Sequence, residues 1–155
     1  MEFDIKNKLE EYISASRFGL VDFVVKGDKY NKIIEIFVDN ETGVNVDELG
    51  KLNRELWDVL KQHELTKNLM KIVVSSPGTE RPVKFFWQLK KHIRRKIEII
   101  TNKGIVQGVL KDLNELPEGN LMVIEQKTGK GKKMTIETSV IKFSSDIIVK
   151  IVSGF

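Results

Sequence analysis

The chain has 155 residues, enough for one domain or two small ones, with a formal net charge of +4, no cysteine and only two histidines. No apolar run approaches the roughly 20 residues that cross a bilayer, and Met1-Glu2-Phe3-Asp4 lacks the basic-then-apolar pattern of a secretory signal, so a cytoplasmic protein without membrane contact is expected. Without cysteine there is no disulfide framework, thiolate nucleophile or zinc ribbon, and stability must come from packing.

The charge is unevenly divided. Residues 1–83 carry 12 basic and 15 acidic groups, a net −3, whereas residues 84–155 carry 14 and 7, a net +7. An acidic first half joined to a basic second half suggests that the second faces phosphate and the first faces protein or solvent.

Taken in order, Ile5, Leu9, Tyr12 and Ile13 recur at helical spacing among Lys and Glu, which predicts an amphipathic first helix over residues 5–15. Leu20 to Lys26 and Lys32 to Asp39 are rich in Val, Ile and Phe and flank a polar Gly27-Asp28 stretch, the pattern of an antiparallel hairpin. A second helix begins at Asn45, whose side chain suits an N-cap, with Glu48 three residues on and Val44 placed to staple against Leu49. Val46, Leu49, Leu52, Leu56, Val59 and Leu60 form its apolar stripe. Leu69 to Val74 is an apolar run with one charge, Lys71, and reads as a buried strand. Helix, strand, strand, helix, strand predicts an α/β layer with two helices on a three-stranded sheet. That order is KH-like, but no two glycines are three apart, so the Gly-x-x-Gly clamp of KH domains is missing.

Pro77-Gly78 then stops the strand. Pro77 presets φ and Gly78 tolerates positive φ, so Ser76 to Thr79 suits a type II turn, while Pro82 pushes Arg81 toward extended backbone and displays its side chain. The stretch is expected to be a stiff elbow between two halves, with Arg81 as the best-presented cation or, on the simpler reading, in a local ion pair.

The segment Ser75-Ser76-Pro77-Gly78-Thr79-Glu80-Arg81-Pro82 resembles the Ser-Ser-Pro-Gly-x-acid-Arg-Pro signature of the ribosome maturation factor RimP family. Glu35-Ile36-Phe37-Val38-Asp39 followed by Gly43-Val44-Asn45-Val46-Asp47-Glu48 is similar to that family's strand, acidic turn and capped helix start, and the resemblance covers nearly the whole chain. Thr79 and Val83 stand where the pattern has leucines, and Glu80 replaces its usual Asp. The resemblance implies a non-catalytic factor that binds the free small ribosomal subunit and assists its assembly, meeting rRNA and a small-subunit ribosomal protein, S-twelve, without a cofactor. A monomer is expected.

Past the elbow, Phe85, Phe86 and Trp87 precede Lys90, Lys91, Arg94 and Arg95, the densest basic cluster in the sequence. The rings are expected to anchor a short helix, with base stacking as the sharper alternative. From Ile97 the period changes to five short strands, Ile97 to Thr101, Ile105 to Leu113, Leu121 to Glu125, Met134 to Glu137 and Ile147 to Val152, with a helical turn expected at Thr138 to Lys142. Five short strands predict a small SH3-like or Sm-like barrel. The domains are therefore expected at 1–83 and 84–155, and the basic connection carrying Lys130, Lys132 and Lys133 reads as a flexible hairpin loop able to meet phosphate.

The chemistry of catalysis is sparse. Ser75 and Ser76 have no histidine nearby in sequence, His63 and His92 lie far apart as solvated helix residues, and Asp22, Asp39 and Glu41 are weak candidates for a Mg²⁺ site. No enzyme, metal or cofactor is expected. The candidate binding residues are Ser76, Glu80, Arg81, Lys84, Lys90, Lys91, Arg94, Arg95, Lys130, Lys132 and Lys133. An Sm-like or SH3-like regulator of messenger or small RNA is the alternative function.

Overall fold

The computed structural model describes residues 2–78 and 81–152, and the chain divides into two compact units, Met1–Pro77 and Gly78–Phe155. In the first unit, α1 (Glu2–Ser14) precedes β1 (Gly19–Gly27) and β2 (Lys32–Asp39), followed by α2 (Val46–Gln62) and β3 (Leu69–Ser75). The sheet order is β1-β2-β3. β1 runs antiparallel to β2, as a hairpin must, and β2 runs parallel to β3 because α2 carries the chain back across the sheet.

Sequence chemistry starts α2 where expected. The Asn45 side chain accepts from the Glu48 N–H at 2.8 Å, satisfying a helix-end donor. Ile5, Leu9 and Ile13 of α1 and Leu52, Leu56 and Leu60 of α2 are buried against Ile34, Ile36, Val38, Ile72 and Val74 of the sheet, forming the unit's core. Truncating Leu56, which is fully buried, removes both transfer energy and packing and should cost about 2–5 kcal/mol.

The second unit opens with a 3₁₀ helix, Phe86–His92, followed by β4 (Lys96–Thr101), β5 (Gly104–Leu116), β6 (Gly119–Thr128), β7 (Thr135–Lys142) and β8 (Ile148–Ile151). Its core gathers Phe86 and Leu89 of the short helix with Ile97, Ile99, Leu110, Met122, Ile124, Val149 and Ile151 of the sheet. Gly108 lies where β5 and β6 come closest: a Cβ there would stand 2.5 Å from Ile124 Cγ2 and 2.7 Å from the Glu125 carbonyl oxygen.

The sheet order, β7-β6-β5-β4-β8, corrects the expected SH3-like or Sm-like barrel. Closure would require β7 to pair with β8, but β7 pairs with β6, and the open side of β8 receives Val83 instead, whose N–H donates to the Val149 carbonyl at 2.7 Å. β8 is also only four residues long. The sheet is therefore open, with β7 along one edge. The helical turn expected at Thr138 to Lys142 is part of β7, held by pairing from Thr128↔Thr135 to Leu121↔Lys142.

Candidate functional site

Ser76 and Pro77 end the first unit, Pro77 buried and Ser76 half-buried. Gly78 has φ +63°, the left-handed conformation that glycine adopts without penalty. Thr79 and Glu80 lie outside the described residues, and with them the full type II turn and the expected contact at Glu80. Arg81 is half-buried and has an interaction partner within the structure.

The next residues are pinned from within. The Gln88 side chain is buried, and its Oε1 accepts from the N–H groups of both Lys84 (2.9 Å) and Phe85 (2.8 Å) at the start of the short helix. The three consecutive rings separate. Phe86 enters the core and meets Phe143 edge-on at 5.6 Å, whereas Phe85 and Trp87 stack on each other at 6.0 Å and 8°. Lys84 Nζ lies 5.7 Å from the Phe85 ring centroid, a cation–π distance.

The basic cluster after the rings is less uniform than its sequence. Lys90 is exposed and reaches Glu115 at 3.9 Å. Lys91 is half-buried, and burial, aided by the Arg95 charge, pushes its ammonium down to about 8. His92 is no solvated surface residue. Its Nδ1 is buried without a hydrogen-bond partner, and burial, then the charges of Lys91 and Arg95, push its imidazole down to about 4. Arg94 and Arg95 are exposed, but their backbone is fixed to β5: the Arg94 N–H donates to the Leu110 carbonyl at 2.6 Å, and the Leu110 N–H donates to the Arg95 carbonyl at 2.9 Å. Arg94 sits at φ +79°, a conformation unusual for a side chain of its size.

Lys130, Lys132 and Lys133 are exposed on the β6–β7 hairpin. The loop expected to be flexible contains a 3₁₀ turn, Gly131–Lys133, with bonds from Lys133 N–H to the Lys130 carbonyl (3.1 Å) and from Met134 N–H to the Gly131 carbonyl (3.2 Å). The Thr128 and Thr135 hydroxyls bond at its base at 2.6 Å.

Strand register shows what the sequence could not, which is how these cations are distributed. Arg95 bonds to Leu110, and Leu110 pairs with Ile124 on β6. The lysine hairpin begins beyond Thr128, four residues further along β6, roughly 13 Å at the usual rise of a strand. Arg94 and Arg95 therefore lie just before β4, level with the middle of β5 and β6, whereas Lys130, Lys132 and Lys133 lie past the end of the sheet that carries the β4–β5 turn; the opposite end is the β5–β6 turn at Leu116 and Gly119. The structure does not merge them into one patch. Register also adds exposed residues that composition did not single out: Lys96 beside Arg95, and Lys103 in the β4–β5 turn at the same end as the lysine hairpin. Among the described residues no three His, Cys, Asp or Glu side chains come together as a metal-binding set.

The fold thus defines a two-unit α+β protein, a layered first unit followed by an open, cation-rich sheet. Residues 8–80 match the family model of the RimP N-terminal domain, and the chain is 29% identical over 136 residues to the ribosome maturation factor RimP of Cytophaga hutchinsonii, covering 85% of this chain and 80% of that protein. The likeness is thus to the RimP family, whose members are non-catalytic factors in ribosome maturation.

Proposed function

We propose that the chain binds the free small ribosomal subunit and assists its assembly, with its second unit neutralising rRNA phosphates at two separate positions and its acidic first unit facing protein, S-twelve being the partner implied by the family resemblance. The observation that carries this reading is the placement of exposed cations on hydrogen-bonded turns at two separate levels of one sheet. Such an arrangement suits two stretches of phosphate backbone, and holding the cations on fixed backbone lowers the ordering cost of binding. Lys90 and Lys91 precede the arginines in the chain, and Lys84, with Ser76, Glu80 and Arg81 of the elbow, completes the proposed contacts of rRNA or ribosomal protein. The exposed Phe85 ring, stacked on Trp87, offers a face to an unpaired base close to these cations.

Gradient sedimentation of the tagged chain with ribosomal particles tests the reading. The chain should travel with free small subunits and be absent from joined ribosomes. Equal distribution over all particles, or none on small subunits, would overturn it.

A further inference from the structure

A second interaction surface lies wholly within the first unit. β3 is an edge of its sheet, and its exposed residues are Met70 (56% exposed), Lys71 and Val73 (37%). Sheet edges are ordinarily protected against pairing by bulges, charges or prolines. The opposite edge, β1, has such protection, with a bulge between Leu20 and Asp22 and charges at Asp22 and Lys26. β3 has a single charge, Lys71, no proline, and one irregularity at Met70, where the pairing steps from Lys32↔Leu69 to Ile33↔Lys71; from Lys71 to Ser75 it is in regular register.

Beside this edge is a cavity of about 560 Å³ lined by α2 and β3. Gly50, Asn53, Arg54, Trp57 and Asp58 contribute from the helix at three- and four-residue spacing, a stripe separate from the Leu52-Leu56-Leu60 stripe that enters the core. Met70, Lys71 and Ile72 contribute from the strand. The absence of a side chain at Gly50 leaves room at one end, and Trp57 supplies an aromatic wall. Two of the charged lining residues, Arg54 and Lys71, are cations, against one carboxylate, Asp58.

We infer that β3 and the α2 groove form a docking site for an extended, acidic peptide that adds as a fourth strand along β3. Alternate side chains of an added strand face the same way, so the partner's backbone pairs with the edge while one large apolar side chain enters the groove against Trp57 and Met70. The acids, at the alternating positions, face the other side of the sheet, where Lys71 alternates with the buried Ile72, while Arg54 stands at the rim of the groove. The excess of cations on the rim selects an acidic segment over a basic one. This inference does not depend on the rRNA reading.

The test is NMR titration of the full chain with a synthetic ten-residue peptide of alternating acidic and branched apolar residues carrying one central phenylalanine. Amide shifts should concentrate in residues 69–75 and at the Trp57 indole. A peptide with central proline, which cannot continue the ladder, and one with lysine replacing each acid should bind at least tenfold more weakly. Gly50→Leu is the decisive variant, because a Cβ at Gly50 meets only Arg54 Nη1, at 3.7 Å, so the larger residue is accommodated and fills the groove. It should weaken binding at least tenfold while leaving the free protein's spectrum folded, and Met70→Lys, at an exposed edge position, should do the same. Shifts located elsewhere, equal binding of the proline peptide, or unchanged binding by both variants would overturn the proposal. Neither variant removes a cation of the second unit, so both should keep the parent's salt dependence of binding to small subunits, and failure of one reading is distinguishable from failure of the other.

Discussion

Arg94 combines two roles that substitution can separate. Its left-handed backbone costs on the order of 1 kcal/mol for a residue with a Cβ, whereas glycine adopts it freely. Arg94→Gly should therefore stabilise the protein by up to about 1 kcal/mol in denaturant titration while weakening its binding to small subunits, and a loss of both stability and binding would show that the guanidinium also holds the fold. His92 makes a second prediction, with a definite sign. Its imidazole titrates near 4 in the folded chain, below the ordinary value of 6.5, so the unfolded state binds the proton more readily between those values. The contribution of His92 to stability is present above about 6.5 and is lost as pH falls toward about 4. Chemical denaturation at pH 7 and pH 5 should show the parent losing more stability on acidification than His92→Gln. Equal losses would mean that His92 is not shielded from solvent in solution. The elbow's Pro77-Gly78 was legible at this scale because proline and glycine act locally, whereas the burial of His92 depends on how the short helix packs and has no signature in its neighbours.

Among the elements, α2 was the most legible, since its cap and stripe are set by residues within one helix. β7 was the least. Thr138 favours a strand but Ser139 does not, and the conformation of both is held by pairing with Glu125 and Ile124 on β6. The last three residues of β5, beyond the expected end at Leu113, were missed for a related reason: Asn114, Glu115 and Leu116 are all exposed, so no apolar alternation marks the strand's continuation. Gly108 is the position where this sheet is most sensitive. Gly108→Ala places a methyl group into Ile124 and the Glu125 carbonyl and should destabilise the second unit by about 1–3 kcal/mol, in the range of overpacked cores. Thermal unfolding would measure it, and an unchanged midpoint would mean that β5 and β6 yield easily at this point. The lysine hairpin is tested by replacing Lys130, Lys132 and Lys133 with alanine. If all three meet phosphate, the dependence of log affinity on log salt should shallow by roughly 2 to 3. Loss of affinity with an unchanged slope would point to a contact other than phosphate.

For the whole molecule, the division of charge between the two halves was visible in composition, but not its arrangement. Counting charges from residue 84 onward gives +7 without saying whether they form one patch or two. Only register, through Arg95, Leu110 and Ile124 on one level and Thr128 four residues on, separates them into two groups, one level with the middle of β5 and β6 and one past the end of β6. The barrel expectation erred at the same scale. Whether five strands close is decided by what reaches the last edge, and here Val83 from the elbow takes the place on β8 that closure would need. The most direct measurement is the equilibrium binding of the full chain to purified free small subunits across a series of salt concentrations, beside a charge-reversed variant of each group, Arg94→Glu with Arg95→Glu and Lys130→Glu with Lys132→Glu. Phosphate contacts at both groups predict a steep, linear fall of log affinity with log salt in the parent and a shallower fall in each variant. A flat response in the parent, or variants that bind as the parent does, would contradict the account.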